Sequence, residues 1–155
     1  MNSIFRALTD GRLVEIHSTA KTQAIEAVAR IVEASRAQAA PSEFTQKVVY
    51  AELAFNTGLG LGLACPHVRA GQEGDLLCAV GWSRAGIDYG SSDGNKVHLI
   101  ALYEVPDSRR AEFLKERAAL IQALMKLGGK PLAGIDDVKE LFANLFKEGV
   151  DELIK

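Results

Sequence analysis

Cysteine is scarce in this chain: two in 155 residues, Cys65 and Cys78. That is too few for a disulfide framework, and the pair has no close-spaced metal-ligand pattern, so both thiols are expected to be reduced. An excess of charge of either sign is also missing. Eighteen basic residues against twenty acidic ones leave a net charge of -2, with no broad cationic field to draw the chain onto nucleic acid or acidic lipid. No apolar run approaches the roughly 20 residues that cross a bilayer. The start, Met1-Asn2-Ser3-Ile4-Phe5-Arg6, lacks a charged-then-apolar signal pattern. The expectation is a cytoplasmic protein that touches neither nucleic acid nor membrane. Internal repeats, linkers and a composition break are absent too, and the length suits a single domain over residues 1–155.

The apolar pattern switches period along the chain. Val14 and Ile16 alternate with Glu15 and His17, which predicts a short strand over 13–17. Ser18 and Thr19 offer a helix cap, and Ile25, Val28, Ala29 and Val32 then recur at helical spacing up to Arg36. Pro41-Ser42 opens a second helix with the stripe Phe44, Val48, Ala51 and Phe55, ending near Asn56. Strands follow over 61–65, 76–83 and 97–105. The last, Val97-His98-Leu99-Ile100-Ala101-Leu102-Tyr103, is too continuously apolar for a sheet with one wet face, so helices should cover both sides. Asp93-Gly94 marks a turn inside a longer loop. Pro106-Asp107-Ser108 begins a long helix with Phe113, Leu114, Leu120, Ile121 and Leu124, closed by Gly128-Gly129. After Pro131, Asp137 with Glu140 resembles a capping box ahead of Val138, Leu141, Phe142 and Leu145, and a short helical tail follows Gly149. The sum is an α/β fold, a three-layer αβα sandwich around a small mixed sheet.

Chemistry concentrates in Thr57-Gly58-Leu59-Gly60-Leu61-Gly62-Leu63-Ala64-Cys65-Pro66-His67-Val68-Arg69. Glycines at alternate positions lack the dinucleotide-fingerprint spacing, and no cofactor is expected. Pro66 should end the strand and leave His67 at its exposed end. A metal site built from Cys65, His67, Cys78 and His98 is the competing reading, but the ligand pairs that mark such sites are absent. Both cysteines read more simply as core, His98 as a satisfied interior histidine and His17 as a surface residue. Trp82 and Tyr89 read as packing, with a partner surface as the alternative.

These residues resemble the type-2 enzyme IIA domains of the bacterial phosphoenolpyruvate-dependent phosphotransferase system, the fructose, mannitol and nitrogen-regulatory class. The carriers of the resemblance are Thr57-Gly58, Gly60, Ala64-Cys65-Pro66-His67, Gly86-Ile87-Asp88-Tyr89, and Asp93-Gly94 before the apolar strand. It implies a phosphocarrier. His67 would take a phosphoryl group from the phosphohistidine of an HPr-like phosphocarrier protein and pass it to the cysteine of an enzyme IIB domain, or hold it as a regulatory mark on a target protein. Imidazole is nucleophilic near neutral pH, and transfer needs alignment and charge stabilisation rather than a metal. Backbone N–H groups of the glycine-rich approach and the Thr57 hydroxyl could face the phosphoryl oxygens.

Two family features are missing. The usual Arg-Glu pair ahead of the Thr-Gly reads Ala51-Glu52, and the usual second histidine of the following helix is Phe113. Losing both cations should slow transfer or abolish it, because each charge-assisted contact is worth about 1.5–3 kcal/mol. Arg69, two residues beyond His67, shares its side of an extended chain and is a candidate replacement, with a solvated surface arginine as the alternative. Glu52, near a helix C-terminus, opposes the helix dipole and calls for a cationic partner that His67 or Arg69 could supply, with an exposed glutamate of no role as the alternative. The competing function is a phosphorylation-incompetent regulatory interaction module that keeps the fold.

Overall fold

The computed structural model describes residues 3–35, 43–128, 130 and 132–154, with side chains of the last stretch up to 145. The expected helix start at Pro41-Ser42 and the expected breaks at Gly129 and Pro131 lie outside the described residues.

A mixed sheet forms the middle layer, and strand β6, Val97–Val105, runs through its centre. Strand β5, Leu77–Ile87, lies antiparallel to it, with Cys78 opposite Tyr103 and Gly81 opposite Ile100. Strand β1, Leu13–Glu15, adds in parallel to β5. On the other side of β6, strand β3, Leu63–Ala64, pairs in parallel, and β2, Gly58–Gly60, folds back antiparallel on β3.

The continuous apolar run of β6 is buried on both faces. Leu99, Ala101 and Tyr103 face one core, with helices α1 (Ser3–Thr9), α4 (Arg110–Lys126) and α5 (Ile135–Ile154). Ile100 and Leu102 face the other, with α2 (Lys21–Ala34) and α3 (Phe44–Ala54). Helix α2 buries Ala24, Ile25, Val28, Ala29 and Val32, and its isoleucine and valines each contribute about 1.5–3 kcal/mol by leaving water. It comes close to the sheet because Gly81 has no side chain: a Cβ there would collide with Ile16 and Val28.

The three-layer architecture is the expected one, and the differences lie at chain reversals and ends. Helix α1 has no counterpart in the periodicity reading, since Ile4, Ala7 and Leu8 give barely one turn of pattern. Helix α2 starts two residues later than Thr19, and its N-cap Ala20 donates its N–H to Ser18 Oγ at 3.2 Å. A 3-10 turn, Asp107–Arg109, precedes α4. Asp137 already sits inside the first turn of α5 and reaches back to accept from Ala133 N–H at 2.7 Å, so it caps from within. Strand β5 continues past Ser83 to Ile87 across a bulge between Trp82 and Ile87.

The expected strand over 61–65 is a hairpin. Leu61 and Gly62 have φ of 59° and 75°, the left-handed turn joining β2 to β3. Nor does the chain leave the sheet at Pro66. Strand β4, His67–Arg69, resumes parallel pairing with β6, His67 opposite Tyr103, in the register already set by Leu63 opposite Leu99. Pro66 interrupts the ladder without ending it, because only its missing N–H is lost and its carbonyl still accepts from Tyr103 N–H at 2.9 Å.

Candidate functional site

Cys65 N–H donates to Thr57 O at 3.2 Å, toward β2. In extended chain a residue's N–H and carbonyl leave on the same side, so the Cys65 carbonyl turns away from β6. It meets the His67 imidazole there, with Nδ1 3.1 Å from Cys65 O. A carbonyl only accepts, so this geometry assigns the proton to Nδ1 and leaves the lone pair on Nε2. The half-buried His67 ring is held by a second contact: Phe113 lies 5.0 Å away between centroids, tilted by 42°, and itself meets Tyr103 edge-on at 4.9 Å.

Glu52, in the last turn of α3, is 3% exposed. Its Oε1 accepts from Thr57 N–H at 2.7 Å and its Oε2 from the Thr57 hydroxyl at 2.6 Å. The cation it needs comes from neither His67 nor Arg69. Lys21, the first residue of α2, places Nζ 3.2 Å from Glu52 Oε1 and 4.4 Å above the Tyr89 ring. The Thr57 hydroxyl proton is therefore given to a carboxylate, and the neutral Tyr89 hydroxyl, 3.3 Å away, donates to Thr57 in turn. Burial drives the Tyr89 hydroxyl well above its ordinary value, opposed by that hydrogen bond.

Arg69 turns outward. Its Nη2 and Nε lie 2.9 and 3.1 Å from Asp107 Oδ1, and its side chain is 77% exposed. The glycine-rich approach is also engaged: Gly58 N–H donates to Asn56 Oδ1 at 2.8 Å and Leu61 N–H to Asp93 Oδ2 at 3.2 Å, so these two donors do not face a phosphoryl group. Burial pushes the Cys65 thiol up to about 12, with the Arg117 charge opposing, so it stays protonated. His98 Nδ1 lies 2.8 Å from Ser83 O, a satisfied interior contact, and Trp82 and Tyr89 are buried packing residues. Among the described residues, no three histidine, cysteine or acidic side chains gather to hold a metal.

Two functional candidates escaped the sequence reading. Lys21 is one. Arg117 is the other, its guanidinium carbon 5.4 Å from the Phe113 ring centroid. The i, i+4 spacing of Phe113 and Arg117 was the available signal.

The family model for the phosphoenolpyruvate-dependent sugar phosphotransferase system, EIIA 2, matches residues 7–145. The chain belongs to this family. Among curated relatives, the chain is similar to a nitrogen regulatory protein of Pseudomonas aeruginosa, 29% identical over 118 residues, covering 74% of this chain and 77% of that one. It is also similar to a fructose-specific EIIABC component of Bacillus subtilis, 24% identical over 113 residues, or 73% of this chain. It spans 18% of that much longer protein. Among solved EIIA structures, the nitrogen regulatory protein IIA-Ntr of Neisseria meningitidis matches with a TM-score of 0.64 at 22% identity, covering 84% of this chain and 92% of that one. The mannitol IIA of Escherichia coli, solved in complex with phosphorylated enzyme IIB, matches at 0.62 and 14% identity over 86% of this chain and 94% of that one. Both likenesses carry the fold. Phe113 packs directly against the His67 imidazole, and the residue before Glu52 is Ala51.

Proposed function

We propose that His67 is the phosphoryl acceptor of a phosphotransferase-system carrier, receiving the group from an HPr-like phosphocarrier and passing it to an enzyme IIB cysteine or holding it as a regulatory mark. Family membership supports a phosphocarrier or regulatory role in general. The observation that carries the specific reading is the hydrogen bond from His67 Nδ1–H to Cys65 O, which leaves Nε2 as the nucleophile without any general base. In the transfer, the Nε2 lone pair attacks phosphorus and the donor's P–N bond breaks, returning its electron pair to the donor imidazole. The proton stays on His67 Nδ1 and is donated in a hydrogen bond to the Cys65 carbonyl, which stabilises the positive charge spread over the phosphorylated ring.

Glu52 and Thr57 act as positioning residues: they hold the Thr57–Cys65 contact that aims the carbonyl. Arg69, paired with Asp107 at 2.9 Å and turned to solvent, has its charge committed there. Tyr50, Leu53 and Phe55 near the end of α3 are 70%, 70% and 80% exposed, an apolar surface next to Glu52 suited to a docked protein. No helix among the described residues is long and apolar enough to cross a membrane.

The test is incubation with phosphoenolpyruvate, enzyme I and HPr, followed by intact mass at non-acidic pH. One added phosphoryl group that disappears in His67→Ala is the expected result, and no added mass with an active donor chain overturns it. That second outcome favours the other reading, a phosphorylation-incompetent regulatory module, motivated by Phe113 in contact with His67 where the family has an imidazole.

A further inference from the structure

A phosphoryl group on His67 Nε2 brings nearly two negative charges into a half-buried place, and some cation must meet them. The cations around the site are not equally free to do so. Lys21 is bound to Glu52 at 3.2 Å, and its removal from there would leave a buried carboxylate unpaired. Arg69 is bound to Asp107 at 2.9 Å and faces solvent. Arg117 differs from both: among the described residues no carboxylate pairs with it.

It is held by a ring. Arg117 follows Phe113 by one turn of α4, and helical side chains lean back toward the N-terminus, so the guanidinium carbon lies 5.4 Å from the Phe113 centroid. Phe113 in turn lies 5.0 Å from the His67 ring. A salt bridge would use up the charge of an arginine. An aromatic face does not: it restrains the side chain while leaving the charge and the five N–H donors available. The Arg117 charge reaches the next part of the site as well, since it is the largest influence opposing the burial-driven rise of the Cys65 thiol, two residues from His67.

We propose that Arg117 is the phosphoryl-binding cation of this site, racked on Phe113 and closing on the phosphoryl oxygens once the group is on His67. This rests on His67 being the acceptor. In this arrangement the replacement of an imidazole by Phe113 is not a simple loss, for the phenyl ring becomes the support of a guanidinium supplied from one turn further along the same helix.

The test compares Arg117→Ala, Arg117→Gln and Arg117→Lys with wild type and with Arg30→Ala, a surface charge on α2 that pairs, among the described residues, with its helix neighbour Glu26 at 3.4 Å. The donor chain is phosphoenolpyruvate, enzyme I and HPr, and two quantities are read: the initial rate of phosphoryl arrival and the fraction phosphorylated at equilibrium with a fixed donor ratio. Circular dichroism melting establishes that each variant is folded. Arg117→Ala and Arg117→Gln should lower the rate by about tenfold to a hundredfold, the worth of one charge-assisted contact. Arg117→Lys should recover part of it, and Arg30→Ala should match wild type. A merely structural role would not separate lysine from glutamine at equal melting temperature. Folded glutamine and lysine variants with equal rates, or an alanine variant as fast as wild type, overturn the proposal while His67 remains the acceptor. Failure of wild type itself to take up phosphoryl from an active chain overturns both.

Discussion

Glu52→Gln is the sharpest probe of the network behind His67. The carboxylate uses both oxygens: Oε1 takes the Thr57 N–H and Lys21, and Oε2 takes the Thr57 hydroxyl. Glutamine keeps one acceptor oxygen and puts an NH2 where the second stood, so one Thr57 donor faces another donor. An unsatisfied buried donor costs about 1–3 kcal/mol, and breaking a fully buried ion pair by removing one partner costs about 3–5 kcal/mol. The Lys21 side chain is 23% exposed and can reach water, which keeps its share small and sets the expected loss at about 2–4 kcal/mol. Guanidinium unfolding measures it, with the slope unchanged and the midpoint lowered. Adding Lys21→Met should cost less than the sum of the two single changes, because the lone lysine charge is then gone. A loss for Glu52→Gln under about 1 kcal/mol, the worth of an exposed pair, refutes the argument that this carboxylate is structurally committed.

Thr57→Val deletes the hydroxyl that Tyr89 donates to and that donates to Glu52; it should cost about 1–3 kcal/mol in urea midpoint analysis, and a neutral result would show that the hydroxyl chain carries no stability. Phe113→Leu removes two ring contacts, to His67 and Tyr103, and should cost about 1–3 kcal/mol; the histidine's NMR line should broaden as its ring loses a fixed neighbour, and an unchanged line refutes that restraint. Burial raises the Glu116 carboxyl above 4.5, only partly opposed by the hydrogen bonds from Ser3. The folded state then binds that proton more tightly than the unfolded chain, so the stabilisation is fully present below the unfolded value and is lost as pH rises through the raised folded value. Glu116→Gln should remove this slope, and a wild-type-minus-variant difference in urea midpoint that is the same at acid and neutral pH refutes it.

Legibility in the sequence followed sequence distance. Strand β6 was readable to its last residue because Val97–Val105 is apolar apart from His98 and Glu104, and α2 because Ile25, Val28, Ala29 and Val32 repeat at helical spacing over about two turns. The Cys65-Pro66-His67 break was readable from proline alone, yet the resumption of pairing at His67 was not, since it depends on a register set four residues earlier against a strand about 36 positions away. Thr57, Glu52 and His67 surfaced through local spacing and resemblance. Lys21 did not, because the α2 N-terminus meets the end of α3 only after both helices dock on the sheet. Arg117 stayed hidden for a different reason: on its own helix it reads as one more solvent-facing charge, and only the packing of Phe113 beside His67 gives its position meaning.

The two sides of the site meet in one short piece of backbone. Ala64 packs into the core under α2 and α3, Cys65 into the core under α1, α4 and α5, and the His67 ring hangs on the Cys65 carbonyl between them. Thr57 anchors that piece from the Glu52 side, through its carbonyl to Cys65 N–H, and Phe113 steadies the ring from the α4 side. A change on either side therefore acts on the same imidazole through different atoms: the Glu52 network through the position of the carbonyl that holds Nδ1, the α4 pair through the ring plane and the charge beyond it. Combining Thr57→Val with Phe113→Leu should for that reason depress phosphoryl arrival at His67 by a factor that departs from the product of the single effects. Simple multiplicativity would mean that the two networks support the histidine independently and that the Cys65 carbonyl does not couple them.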